Sequence, residues 1–175
     1  MNLESALYAL LFFLPAGISN MTPVFASRLP LFRQWRTPLD FGKRLNGHRL
    51  LGPNKTWRGL ISGIVMGTLT GLILYGPFFS DDNQITFLLV CASMSAGALI
   101  GDAVESFFKR QRGVEAGNSW FPFDQLDYII GGLLFTLPFG LLPLWLVLWI
   151  IGIYFGLHLL SSYIGYLLGL KDKPI

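Results

Sequence analysis

The stretch GDAVESFFKRQRGVEAGNSWFPFDQLD, residues Gly101–Asp127, joins two strongly apolar runs, Ile85–Ile100 and Leu126–Leu142. It is dense in charge, although only 13% of the chain is charged and 53% is hydrophobic. Its ionisable side chains include Asp102, Glu105, Lys109, Arg110, Arg112, Asp124 and Asp127. A carboxylate in or near hydrocarbon costs about 2.5–3.5 kcal/mol even on the mild insertion scale. Acids at the ends of two apolar runs therefore indicate function.

The spacing of these charges predicts two polar helix faces. If Ser95–Phe108 is helical, four side chains at i, i+3, i+4 and i+7 share one face: Asp102, Glu105, Ser106 and Lys109. Asp124 and Asp127, three residues apart, share a face at the start of the next helix. Facing carboxylates with a lysine beside them are suited to holding Mg²⁺ against a polyphosphate.

Composition places the chain among integral membrane proteins. A span needs about 20 residues, so residues 1–175 have room for one domain with five transmembrane helices. The predicted fold is therefore an all-α membrane protein with two polar loops. The expected spans are Ser5–Leu29, Leu60–Phe79, Ile85–Phe107, Leu126–Leu142 and Leu144–Leu170.

Basic residues predict the orientation of these spans. All 13 lysines and arginines fall within Arg28–Arg58, Lys109–Arg112 and Lys171–Lys173, and alternating spans place these segments on the same side. By the positive-inside rule, we expect a multi-pass cell-membrane protein with its N-terminus outside and its C-terminus and both polar loops in the cytoplasm. The basic charge then faces anionic lipid headgroups and nucleotides, and no nucleic-acid partner is predicted.

A glycine-rich turn, Gly52–Gly59, leads directly into the second predicted span. Backbone N–H groups at a helix N-terminus, with the charge of Lys55 and the hydroxyl of Thr56, supply the components of a phosphate-binding turn. The spacing does not match a Walker A motif. A simple helix-capping turn with interfacial aromatic and basic side chains is the alternative.

Taken together, the segments resemble CTP-dependent cytidylyltransferases that activate phosphatidate-type lipids. The similarity rests on Lys55-Thr56-Trp57, on Gly101-Asp102 followed by Glu105–Arg110, and on Asp124-Gln125-Leu126-Asp127. The short five-span form most resembles the archaeal CDP-archaeol synthases. Their recurring features appear in order as Pro38–Lys43, Gly47–Gly52, Lys55–Gly59 and Asp124–Asp127.

This resemblance implies transfer of CMP from CTP to 2,3-bis-O-geranylgeranylglycerol 1-phosphate, an unsaturated archaetidic acid, with release of pyrophosphate. The implied partners are CTP, the isoprenoid ether-lipid phosphate and membrane lipids. One or two Mg²⁺ ions would be held by Asp102, Asp124 and Asp127, and the expected catalytic set is these three acids with Lys109. Glu105 would either complete the metal shell or pair with Lys109. Phosphate contacts are expected from Lys55, Arg58, Lys109 and Arg110, and further nucleotide contacts from Asp40, Lys43, Arg44, Asn54 and Thr56.

Two other functions fit membrane-embedded acids. CDP-alcohol phosphotransferases also act on lipids with paired aspartates, but their Asp-Gly-x-x-Ala-Arg core does not follow Asp124–Asp127. A divalent-cation transporter would use acids along an ion path, whereas these acids cluster with basic residues at one predicted face.

Overall fold

The computed structural model describes residues 2–30, 34–115 and 118–169. Within these ranges the chain forms five α-helices and one short hairpin. The helices are α1 (Leu3–Ala26), α2 (Trp57–Phe78), α3 (Gln84–Gln111), α4 (Phe123–Leu134) and α5 (Leu144–Leu167), and the strands are β1 (Arg44–Leu45) and β2 (His48–Arg49). Arg33 of the basic loop, the predicted last span residue Leu170, and Lys171 and Lys173 lie outside the described residues.

The predicted number of membrane-length helices is not met in the described part of the chain. Four helices, α1, α2, α3 and α5, are long and apolar enough to cross a membrane. α4 has only 12 residues, about 18 Å at 1.5 Å per residue, against a hydrocarbon thickness of about 30 Å. The predicted span Leu126–Leu142 instead breaks after α4 and continues as a 3-10 turn, Leu137–Phe139. Pro138 and the positive φ of Gly140 prevent one continuous helix there.

The interrupted segment nevertheless crosses the helix bundle. At its start, Asp124 lies beside Lys109 near the C-terminal end of α3. Just beyond its far end, at the start of α5, the Trp145 ring lies 6.2 Å from the ring of Tyr8, close to the N-terminus of α1. The carbonyl of Phe135, where α4 ends, accepts a 2.8 Å hydrogen bond from the Ser93 hydroxyl. This bond satisfies one of the carbonyls that the end of a helix leaves open.

The all-α prediction is wrong in one detail, because the basic loop contains the antiparallel pair β1–β2. Arg44 pairs with Arg49, and Leu45 pairs with His48. Asn46 and Gly47 form the two-residue turn with positive φ angles, as type I′ hairpins require. Before α2 begins, the described part of this loop therefore contains a tight hairpin and no helix.

Glycines bring α3 and α4 into backbone contact. A Cβ placed on Gly101 would collide with the Asp127 carbonyl oxygen, and one on Gly97 would collide with the Gly131 carbonyl oxygen. Small residues at a crossing let two helix backbones approach closely. The close approach sets the acids near the C-terminal half of α3 against the first turns of α4.

Candidate active site

Lys55 joins the turn before α2 to the acidic face of α3. The Leu39 N–H donates to the Lys55 carbonyl at 2.8 Å, which ties the turn to the preceding loop. The Thr56 hydroxyl accepts a hydrogen bond from the Gly59 N–H at 3.1 Å and caps α2. With the turn held in this way, Lys55 Nζ lies 2.6 Å from Asp102 Oδ2. Thr56 therefore caps α2, which is the role that the sequence offered as an alternative to phosphate binding.

A second lysine joins α3 to α4. Lys109 Nζ lies 2.5 Å from Asp124 Oδ1 and 3.8 Å from Glu105 Oε1. The other Asp124 oxygen accepts a 2.6 Å hydrogen bond from the Trp120 N–H. Glu105 and Lys109 are both buried, with side chains 7% and 9% exposed. This pair is therefore screened much less than a surface ion pair.

Asp127 completes the acidic cluster, which we define as Asp102, Glu105, Asp124 and Asp127. Its carbonyl packs against Gly101, next to Asp102. Its carboxylate accepts a hydrogen bond from the Tyr128 N–H and lies within electrostatic range of Asp102 and Lys55. The structure therefore brings the three acids and Lys109 of the predicted catalytic set together with Glu105, a predicted metal ligand, and Lys55, a predicted phosphate contact.

The donor set of this cluster suits Mg²⁺, which prefers oxygen ligands. In the described ranges, however, no three Asp, Glu, His or Cys side chains converge on one point. The amines of Lys55 and Lys109 occupy an oxygen of Asp102 and of Asp124 instead. Mg²⁺ commonly takes only one or two protein carboxylates and completes its shell with water and substrate phosphates. The cluster fits an ion held partly by a substrate.

Asp40, a predicted nucleotide contact, is used within its own loop. Its Oδ1 accepts from Arg49 Nη2 at 2.7 Å and from the Gly42 N–H at 2.9 Å. Its Oδ2 accepts from the N–H groups of Leu51 and Gly52 at 3.1 and 3.2 Å. Burial alone would raise the pKa of Asp40, but these donors hold that pKa below its usual range. The bonds stabilise the loop at neutral pH and are lost as the pH falls through the lowered pKa.

A basic pocket of about 300 Å³ lies between the hairpin and the end of α3. Three arginines contribute to its lining, Arg44, Arg49 and Arg110, and the Arg110 Nε is buried without a hydrogen-bond partner. Gln111 Nε2 donates to the Arg49 carbonyl at 3.5 Å across this junction. Asn54 and Lys43, two other predicted nucleotide contacts, are exposed and do not line the pocket.

An apolar groove of about 480 Å³ runs between α1 and α2. Arg58 stands at the α2 end nearest the turn and is itself only 8% exposed. The apolar lining of the groove includes Ile18, Met21, Phe25, Leu29, Trp35, Ile61, Val65 and Met66. Arg58 therefore lines the apolar groove, whereas Arg110, another predicted phosphate contact, lines the basic pocket.

Sequence reasoning missed several contributors to this region. Arg49 was not among the predicted site residues, although its partner Asp40 was, because nine residues separate them and only the hairpin brings them together. Gln125 is buried, and its Oε1 has no hydrogen-bond partner. Its position inside the Asp124–Asp127 motif was the one available signal. The Trp120 N–H could not have been found, because backbone donors carry no residue signature.

Comparison with known proteins places this arrangement among lipid-activating enzymes. A family model described as CarS-like, CDP-archaeol synthase, matches residues 2–175. The CDP-archaeol synthase of Saccharolobus islandicus is 36% identical over 170 residues, covering 96% of this chain and 95% of the relative. That of Methanospirillum hungatei is 37% identical over 153 residues, covering 78% and 89%.

A solved structure also resembles this chain in three dimensions. It is described as "Structural insight into an intramembrane enzyme for archaeal membrane lipids biosynthesis" and aligns with a TM-score of 0.77. The two chains are 32% identical, and the alignment covers 89% of this chain and 93% of the other. The similarity thus extends from sequence to the arrangement of the helices.

Proposed function

This chain belongs to the CDP-archaeol synthase family. We propose that one transmembrane domain binds CTP at its acidic cluster and basic pocket and binds the lipid phosphate in its apolar groove. The protein is a CTP-dependent cytidylyltransferase that acts on a lipid phosphate and forms CDP-archaeol. The CDP-alcohol phosphotransferase and cation-transporter alternatives have no support among these relatives. The observation that carries the proposal is the meeting of four acids and two lysines between α2, α3 and α4.

CTP is proposed to lie between the acidic cluster and the basic pocket. Arg110 lines the pocket and follows Lys109 directly on α3, so one helix end reaches both regions. Three arginines offer planar donors that match phosphate oxygens. Lys55 and Lys109 would contact the triphosphate nearer the acids. Asp40 is proposed to shape the loop through Arg49 and not to touch the nucleotide.

The lipid phosphate is proposed to enter along the apolar groove. The groove has hydrophobic walls over several turns of α1 and α2, and a guanidinium stands at one end. A phosphate on Arg58 would leave its isoprenoid chains along Ile61, Val65 and Met66. Arg58 lies in the first turn of α2, three residues after Lys55, and a phosphate on it is proposed to lie near the triphosphate. This arrangement suits the unsaturated archaetidic acid, 2,3-bis-O-geranylgeranylglycerol 1-phosphate.

The chemistry needs alignment and charge neutralisation more than a strong base. A phosphate monoester has a second pKa of about 6 and is mostly dianionic at neutral pH. Its oxygen attacks the α-phosphorus of CTP, the bond to the bridging oxygen breaks, and pyrophosphate departs. Lys55, Lys109 and Arg110 would hold phosphate oxygens in line and balance the charge that develops on pyrophosphate. When bound by Asp102, Asp124 and Asp127, one or two Mg²⁺ ions add electrostatic stabilisation of the same kind.

Reconstituted protein should convert CTP and the geranylgeranylated glycerol phosphate into CDP-lipid and equimolar pyrophosphate, with Mg²⁺ required. Mass spectrometry of the lipid and a pyrophosphate assay measure both products. Pyrophosphate release without lipid phosphate, or the absence of a CDP-lipid, would refute the proposed reaction.

The groove assignment is tested in the same assay with Val65→Trp. An indole at this position fills the groove, so the KM for the lipid should rise about tenfold while the KM for CTP stays constant. The matched control is Leu148→Trp on the exposed face of α5, where the original side chain is 54% exposed and lines no part of the groove. Equal lipid KM values in both variants would remove the groove from the mechanism.

The proposed orientation places the N-terminus outside and the active site in the cytoplasm. Its basis is the one-sided distribution of lysine and arginine. A cysteine introduced at Asn46 should therefore react with a membrane-impermeant maleimide only in inverted vesicles, and one at Asp82 only in intact cells, each in a Cys91→Ser background. Labelling of both positions from the same side would contradict this topology.

A further inference from the structure

We propose that Lys55 and Lys109 are resident counter-cations of the acidic cluster, which occupy its carboxylates until nucleotide and divalent ion arrive together. The inference rests on the proposed function and adds an order of binding to it. Before CTP enters, the lysines neutralise Asp102 and Asp124. When CTP enters, they transfer to its phosphates and release carboxylate oxygens for the ion.

The two ion pairs link separate parts of the fold. The first joins the turn before α2 to α3, across 47 residues of sequence. The second joins α3 to α4, across 15 residues. Lys109 also lies 3.8 Å from Glu105, so its single charge serves two carboxylates. The lysines are therefore built into the contacts between helices and are not accidental surface pairs.

These pairs obstruct a divalent ion that arrives alone. Mg²⁺ is commonly held by one or two protein carboxylates with water in its remaining positions, but one oxygen of Asp102 and one of Asp124 are already paired with an ammonium. A free ion would have to displace at least one ammonium that already lies 2.5–2.6 Å from its carboxylate oxygen. The wild-type protein should therefore bind a free divalent ion weakly.

A nucleotide changes this balance, because its triphosphate supplies both oxygen ligands for the ion and new partners for the lysines. Lysine is suited to such an exchange, since its ammonium is a point charge on a flexible four-carbon stem. Each lysine loses one anionic partner and gains another. Nucleotide and ion should therefore strengthen each other's binding by the same factor, as thermodynamic linkage requires.

Lys55→Gln tests this exchange without measuring turnover. Full-length protein in lipid nanodiscs is titrated with Mn²⁺ and followed by electron paramagnetic resonance, with and without CTP and in the absence of lipid phosphate. In wild-type protein, CTP should tighten Mn²⁺ binding at least tenfold. In Lys55→Gln, nucleotide-free Mn²⁺ binding should tighten at least fivefold, because the acids lose a competing cation, and the enhancement by CTP should shrink.

Calorimetric titration of Mg²⁺·CTP should show at least fivefold weaker binding in the same variant. Opposite changes for ion and nucleotide distinguish an exchanging lysine from one that only supports the fold, whose loss would weaken both. Lys109→Gln should likewise tighten nucleotide-free Mn²⁺ binding and weaken Mg²⁺·CTP binding. This second variant replaces Lys55→Gln in the test if Lys55→Gln does not fold. Arg28→Gln, at an exposed position beyond α1, is the matched loss of one positive charge and should change neither affinity.

Unchanged or weaker nucleotide-free Mn²⁺ binding in a folded lysine variant would overturn the inference. Tight Mn²⁺ binding by the wild-type protein without CTP would overturn it as well. If the wild-type protein still forms CDP-lipid in either case, only the order of binding is wrong. A wild-type protein that binds no CTP would instead overturn the proposed function.

Discussion

Asp124→Asn should lower turnover by roughly 10³-fold, about 4 kcal/mol of transition-state stabilisation. The change keeps the volume of the side chain but removes the negative charge that pairs with Lys109. It also removes an anionic oxygen from the proposed Mg²⁺ shell. Asp102→Asn and Asp127→Asn should have effects of the same order, and each should raise the Mg²⁺ concentration needed for half-maximal activity.

Steady-state turnover at several Mg²⁺ concentrations, with the unfolding temperature of each variant in detergent, checks this expectation. Asp81→Asn is the matched control, since Asp81 is exposed in the turn between α2 and α3, away from the cluster. It should behave as wild type. Near-normal activity in two of the three cluster variants would remove the carboxylates from the mechanism.

Gly101→Ala should damage both stability and activity, although it adds only one methyl group. The added Cβ would meet the carbonyl oxygen of Asp127 and the Cα of Gly131, and backbone atoms cannot rotate away as a side chain can. Overpacking of this kind costs about 1–3 kcal/mol. α4 must move away from α3, and a displacement of about 1 Å at a catalytic centre can cost about 10²-fold in rate.

The control for this prediction is Gly156→Ala on α5, where a Cβ would meet nothing within 4 Å. It should be neutral or slightly stabilising, because alanine favours a helix over glycine by about 1 kcal/mol. Thermal unfolding and turnover of both variants give the comparison. If Gly101→Ala matched Gly156→Ala in both measurements, the glycine crossing would not position the site.

Several features of this protein follow from local patterns. Apolar runs of about 20 residues identify helices that can cross a membrane, and four such helices form close to their predicted bounds. The spacing of Asp102, Glu105 and Lys109 placed them on one face of α3, and the structure confirms it. Periodicity and hydrophobicity are properties of neighbouring residues, so the sequence carries them directly.

Other features depended on contacts that are distant in sequence. The fourth apolar run predicted a full span, but Pro138 and Gly140 interrupt it, and Ser93 from α3 supports the break. Asp40 was predicted to contact the nucleotide, yet its carboxylate accepts hydrogen bonds from Arg49 and from three backbone N–H groups and so stabilises its own loop. In each case, the partner that decides the outcome lies in another segment.

The sequence by itself determined the membrane class and, through shared motifs, the family, and it predicted the acids that the fold brings together. Only the tertiary structure decided that Lys55 pairs with Asp102 and that Lys109 pairs with Asp124. It also decided that Arg58 faces the apolar groove. The reason is physical: a side chain's partner depends on how closely two segments of the chain approach each other. For Lys109 and Asp124, that approach is the crossing of α3 and α4, where Gly101 and Gly131 let two backbones touch.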